Sequence, residues 1–293
     1  MTRLINAEFF KLRKRMMTWV LAALLVGLVL LLYTVLWSIS GRVTRFGEHN
    51  EFTGEDLRRA LFLQGSVPFA LQIAGTFGAI LAIILAAGAV GSEYAWGTVR
   101  LMATASSGRG RLIAAKLVVV AALTVAGVLA AIAVAVAYSA IVTQVDGGGD
   151  YGFLTATWFR EQFAAFGRTL FVMSPYVALG FGAAVIGRST LAGAGTGIGV
   201  AFIEPIVSSI MRQGGSPWKD IPNYLLNANA DVILAQNALP PALPRFRAGQ
   251  EELARQHVHS PEGAALVLAA YAVAFIALAV FVYTRRDITA SSG

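Results

Sequence analysis

Six stretches of the chain are almost continuously apolar: Trp19 to Ile39, Val67 to Val90, Leu112 to Val142, Phe166 to Ile186, Thr190 to Met211 and Ala264 to Tyr283. Each reaches the ~20 residues that a helix needs to cross the hydrocarbon layer of a membrane. A spanning segment must satisfy its own backbone hydrogen bonds, and these runs are too long and too unbroken for the alternating strands of a barrel, so all six are predicted to be helices. Ahead of them, Ile5, Phe9, Leu12 and Met16 recur at helical spacing within "MTRLINAEFFKLRKRMM", with polar groups elsewhere. That pattern predicts an amphipathic helix over residues 1–16 lying in the membrane interface, and Phe9 and Phe10 among the cations favour its being embedded. The first apolar run exceeds the core of a secretory signal and no small-residue cleavage pattern follows it, so it is expected to stay as an anchor. The expected fold is an all-α membrane protein forming a single transmembrane domain over residues 1–293.

Composition agrees, since 57% hydrophobic and only 13% charged residues do not suit a water-soluble globule. The absence of cysteine excludes disulfides, thiolate metal sites and a cysteine nucleophile. The net charge of +7 takes meaning from its position, because the charges gather at the ends of apolar runs. With six spans both termini share a side, and that side carries Arg3, Lys11, Arg13, Lys14, Arg15, Arg100, Arg109, Arg111, Lys116, Arg188, Arg285 and Arg286 against Glu8, Glu93 and Asp287. The split is +9 against −2, which predicts a multi-pass protein of the bacterial cytoplasmic membrane with both termini cytoplasmic. The basic residues are thus assigned to topology, not to nucleic acid.

The search for chemistry is mostly negative. No Gly-Lys dipeptide occurs, so the chain has no Walker A loop for nucleotide phosphates and is not expected to be an enzyme by itself. No GxSxG elbow is present, and His49, His257 and His259 fall in outward segments, where solvated histidines are expected and no metal site. Two ionisable residues lie at membrane depth, Arg168 in the fourth span and Glu204 in the fifth, the latter just before Pro205, which should kink or break its helix. These two leave open a structural ion pair across the short "GRST" turn or a place along a substrate path. Gly193, Gly195, Gly197 and Gly199 would allow another helix to approach closely. Between the fifth and sixth spans, residues 212–263 include "NYLLNANADVILAQNAL", whose apolar spacing predicts short outer helices.

The connection between the second and third spans, "EYAWGTVRLMATASSGRGRLIAAK", concentrates Glu93, Arg100, Arg109, Arg111 and a group of Gly, Ser and Thr in an otherwise apolar neighbourhood. Ser92 is placed to cap a short helix there, and the composition suits a partner surface or a plain topogenic loop.

The pattern Glu93, Gly97, Thr98, Arg100, Arg111 and Lys116 resembles the signature of the membrane subunits of bacterial ABC transporters of the type-2 permease family. There a glutamate and a Gly-Thr pair follow the second span, and a Ser-Arg segment with a later lysine leads into the third. The N-terminal "AEFFKLRKR", with Glu8 and Lys11, and the final "YTRRDI" are similar too, so the likeness covers the whole chain. The sequence departs at Ser106, where proline is common, and at Gly108, where serine is. The resemblance implies that residues 92–111 form a cytoplasmic coupling helix, with Glu93, Gly97, Thr98, Arg100, Arg109 and Arg111 docking onto a separate ATPase. The interfacial helix, through Glu8, Phe9, Lys11 and Arg13, would flank that contact. It also implies two ATPase subunits carrying ATP and magnesium, a second permease copy in a homodimer or heterodimer, surrounding lipid, and a path lined by the second and fifth spans near Glu204 and Pro205. No cofactor is expected in this chain.

The implied function is that of the permease subunit of an ATP-driven exporter moving an amphiphilic or hydrophobic molecule outward, such as a drug, an antibacterial peptide or a lipid. The alternative is an ion-coupled secondary transporter or channel subunit without an ATPase partner. That class usually spreads buried charges along several spans and often shows internal repeats, neither of which is evident here. An intramembrane enzyme would need a nucleophile with a base or paired acids, and one intramembrane glutamate supplies neither.

Overall fold

The computed structural model describes residues 1–42, 53–97, 108–145, 151–237 and 259–285. Its long helices follow the apolar runs, and the described residues contain no strand. In chain order they are α1 (Thr2–Lys14), α2 (Met16–Ser40), α3 (Gly54–Ala60), α4 (Leu63–Ile73), a π-helical turn (Ala74–Gly78), α5 (Ala79–Ala95), α6 (Arg109–Val145), α7 (Ala156–Gly187), α8 (Thr190–Arg212), a 3-10 helix (Trp218–Tyr224), α9 (Leu226–Leu234) and α10 (Pro261–Arg285). Among the described residues, six continuous helical segments are long and apolar enough to cross a membrane: α2, α4 through α5, α6, α7, α8 and α10. The protein is an all-α membrane protein.

Helix ends differ from the apolar boundaries where local chemistry extends them. α7 starts at Ala156, ten residues ahead of the apolar run, because the Thr155 hydroxyl caps it by accepting the Trp158 backbone N–H at 3.2 Å. α8 runs through Pro205 to Arg212 without the expected break. At the "GRST" turn, Arg188 takes a left-handed φ of 51°, and the Ser189 hydroxyl accepts the Leu191 N–H to open α8.

α7 forms the centre of the bundle, packed against α5, α8 and α10, while α5 also packs on α8. Accordingly 67% of the apolar window of the second span and 56% of the fourth are buried, against 11–22% for the other four. Small residues permit this closeness. A Cβ on Gly193 would stand 2.5 Å from the Gly180 carbonyl oxygen and 2.7 Å from the Ala87 methyl. Gly197, one turn on, meets Ile83 in the same way, whereas Gly195 and Gly199 face open space, so only alternate members of the glycine series pack helices together.

α1 is not simply laid on the interface. Its buried residues are Glu8 and Leu12, and Ile5 packs into the same core as Leu12, while Phe9, Phe10 and Met16 are exposed. The inward stripe is therefore rotated by about one residue from the apolar stripe read in the sequence. A carboxylate turns inward because cations await it.

Candidate functional site

That carboxylate and its partners belong to three elements that meet at the end of the bundle carrying the N terminus. α1 presents Glu8 and Lys11 one turn apart on one face. The last turn of α5 presents Glu93, and the second turn of α6 presents Lys116. Lys116 is wholly buried, with Glu93 at 1% and Glu8 at 4% exposure. The Lys116 ammonium donates to Glu8 Oε2 at 2.8 Å and also to Glu93 Oε1. Lys11 donates to Glu8 Oε1 at 2.9 Å and to the same Glu93 oxygen. Two carboxylates and two ammoniums thus form a ring of no net charge.

Burying an ion costs several kcal/mol unless partners replace its water, and here each acid has two cations. Burial alone would raise the Glu8 carboxyl, but Lys116 and then Lys11 beside it hold it below the usual carboxylate range. Burial likewise works against the Lys11 ammonium, and its bonds to Glu93 and Glu8 outweigh that, holding it above an ordinary lysine. Both α1 groups remain charged across the physiological range.

Further contacts fasten the same junction. Arg15, in the break between α1 and α2, donates to the Ser92 hydroxyl at 2.6 Å and the Gly88 carbonyl at 3.1 Å, and its guanidinium lies 4.9 Å from the Trp96 ring centre. Arg109 at the start of α6 donates to the Thr284 carbonyl at 3.1 Å, which brings in the end of α10. The Tyr283 hydroxyl is buried within electrostatic reach of Glu93 and Glu8.

These positions revise several expectations. Ser92 does not cap a new helix: α5 continues through it to Ala95, and the Ser92 hydroxyl donates to Gly88 one turn back. The stop falls at Gly97, whose φ of 65° suits a glycine after a helix end. Glu93 faces into the protein and is no part of an outward docking surface. Arg109 is half-buried and Arg111 exposed, whereas Thr98 and Arg100 lie outside the described residues.

Arg168 and Glu204 do not pair. Arg168 donates to the Gln236 carbonyl at 2.9 Å and the Asn237 side-chain oxygen at 3.3 Å, holding the chain just past α9. Glu204 accepts the backbone N–H of Asn227 in the first turn of α9, where a carboxylate complements the helix dipole. Of the three histidines only His259 is described, and it hydrogen-bonds the side chain of buried Asn229 at 3.1 Å. No cluster suited to a metal occurs among the described residues.

Lys116 is the member whose role sequence reasoning missed: it counts there as a topogenic cation and as part of the family-like pattern, not as a buried partner of Glu8 and Glu93. The signal was present: "LIAAKLVVV" places a lysine inside an apolar run, and ionisable groups there tend to have partners. Asp231 was missed as well. It lies in α9, and its carboxylate accepts from the Asn227 side chain at 3.2 Å.

Six apolar helices and a buried ion cluster tying an N-terminal helix to two of them define an all-α, multi-pass membrane protein. The chain belongs to the family described as "Protein of unknown function (DUF2705)", which matches residues 59–289. That match holds five of the six spans along with Glu93 and Lys116, and begins after α1. No curated protein matches the chain.

Proposed function

We propose that this protein is the membrane-spanning subunit of an ATP-driven exporter, similar to ABC permeases of the type-2 class, with a separate ATPase docking on the connection between α5 and α6. The observation that carries the reading is the buried cluster of Glu8, Lys11, Glu93 and Lys116. It joins the two helices that flank the connection to α1, so a push on that connection moves α1, α5 and α6 as one body instead of bending a loop. Force entering there reaches α7 and α8 through the close α5 contacts at Ile83 and Ala87.

The membrane side of the reading draws on α8, which keeps Phe202, Ile203, Ile206 and Ile210 exposed on an apolar surface suited to lipid or a second permease copy. An outward path for an amphiphilic or hydrophobic substrate would run beside that surface, and Glu204 acts there by holding α9. Termini on the cytoplasmic side follow from the charge asymmetry.

The test is purification of the tagged chain from native membranes, with co-purified ATPase measured as vanadate-sensitive ATP hydrolysis. Reversing Arg100 and Arg111 together is expected to lower that hydrolysis at least tenfold, while reversing Arg42 at the other end of α2 leaves it unchanged. Preparations with no bound ATPase, or an ATPase indifferent to the Arg100 and Arg111 reversal, refute the proposal.

A further inference from the structure

Beside the ion cluster, on the outward side of α1, a cavity of about 280 Å³ opens among α1, α2, α5 and α6 and is floored by Met173 of α7. Its wall runs along α2 from Thr18 to Leu25, a depth of about 10 Å at 1.5 Å per residue. Gly78, at the end of the π-helical turn, and Gly127 of α6 keep it open: a Cβ on either would make only ordinary contacts, with Leu25 at 3.6 and 3.7 Å. The lining is almost entirely apolar below the mouth, where Phe9, Arg13 and Trp19 stand.

The mouth has a definite charge. Of the cations clustered in and after α1, Lys11 is engaged by Glu8 and Glu93, and Arg15 by Gly88, Ser92 and Trp96. Arg13 and Lys14 remain: Lys14 lies over the Phe10 ring, Arg13 lines the cavity without a carboxylate partner among the described residues, and no acidic residue lines the space. The Trp19 indole N–H donates to the Arg13 carbonyl at 2.8 Å, which fixes the ring as a wall at the start of a spanning helix, a position where tryptophan commonly meets lipid headgroups. Across that ring a shallower groove begins at Lys14.

We propose that the cavity binds the upper part of one acyl chain of an anionic phospholipid from the leaflet at the N-terminal end of the bundle, with the lipid phosphate on Arg13 and Lys14 beside it. An apolar cavity of about 280 Å³ with a cation and no acid at its mouth, beside the start of a membrane-spanning helix, matches that ligand in polarity and in charge. The site would seat α1 against α2, next to the ion cluster. It depends on membrane insertion alone and not on the transport reading.

Native mass spectrometry of the delipidated chain, titrated with phosphatidylglycerol or phosphatidylcholine, tests it. One phosphatidylglycerol is expected to bind at least fivefold more tightly than phosphatidylcholine, the scale set by one basic residue at a membrane surface. Arg13→Gln should bring the two lipids to within about twofold. Gly127→Phe, which fills the cavity, should weaken both, with Ala130→Phe as a second filling variant. Arg42→Gln, at the far end of α2, should leave the ratio as in the wild type. Equal affinity for the two lipids, an unchanged ratio in Arg13→Gln, or wild-type binding in a folded cavity-filling variant overturns the proposal.

Discussion

Lys116 and Glu93 lie on opposite sides of the connection between the second and third spans, yet their side chains meet inside the protein, with Lys116 donating to the carboxylate and neither group reaching solvent. The cluster they share with Glu8 and Lys11 is balanced, two charges of each sign. Lys116→Met alone leaves two buried carboxylates to one ammonium and is expected to destabilise by about 3–5 kcal/mol. Lys116→Met with Glu93→Leu leaves Glu8 and Lys11, already bonded at 2.9 Å, and should recover at least half of that loss. Thermal unfolding of the two variants in detergent decides the matter: a double variant less stable than the single one would show that the charges do not act as a unit.

The fold was largely legible because bilayer thickness imposes a length and a composition that any reader of the chain can find. All six spans fall where the apolar runs lie. The cluster was only half legible. Glu93 and Lys116 stand out as charges beside apolar runs, but what pairs them with Glu8 and Lys11 is the rotation of α1, and a stripe of Ile5, Phe9, Leu12 and Met16 is as regular in sequence as the one that is buried. Periodicity ranks faces by hydrophobicity and does not anticipate a carboxylate drawn inward by distant lysines. The pairing of Arg168 with Glu204 failed for a related reason, since each found a backbone partner in or beside α9, an element about which depth in the membrane says nothing.

Gly193 and Gly195 are two residues apart and should respond oppositely to the same change. A methyl group on Gly193 would sit 2.5 Å from a backbone oxygen of α7 and 2.6 Å from the Ala184 methyl, neither of which yields without moving a helix. Gly193→Ala is expected to destabilise by about 1–3 kcal/mol. Gly195 faces open space, and Gly195→Ala should be neutral or stabilising by up to about 1 kcal/mol through lost backbone freedom in the unfolded chain. Equal unfolding temperatures for the two variants would contradict the packing of α8 on α7.

Asp231 should make the outer segment less stable as pH rises. Burial pushes its carboxyl up to about 6 from an ordinary 3.8, with Arg212 opposing the shift and Glu204 adding to it. The folded protein therefore holds this proton more tightly than the unfolded chain, so stability falls as pH climbs between these values, and the loss is complete above the higher one. Asp231→Asn removes the charge and keeps an acceptor for Asn227. It should be more stable than wild type by about 1–3 kcal/mol at pH 7.5, with the difference shrinking toward pH 4.5. Glu8 does not blur this window, because its carboxyl is held below the usual range and its contribution is lost only in stronger acid. The readout is unfolding temperature against pH for both proteins, and a gap that widens in acid would reverse the assignment.

Glu204 and Arg168 hold opposite ends of α9, and their contributions should be separable. Glu204 takes the N–H of Asn227 at the start of that helix, whereas Arg168 takes the Gln236 carbonyl just past its end. Glu204→Ala removes a helix-start acceptor and should cost about 1 kcal/mol, with faster amide exchange at Asn227 and little change at Gln236 and Asn237. Arg168→Ala should do the converse. Because the two side chains share no bond, the double variant should equal the sum of the singles within about 0.5 kcal/mol. A larger coupling measured by hydrogen exchange would mean that the two charges interact across α7 and α8 after all, and the reading of Glu204 as a cap of α9 would have to give way to an ion pair at membrane depth.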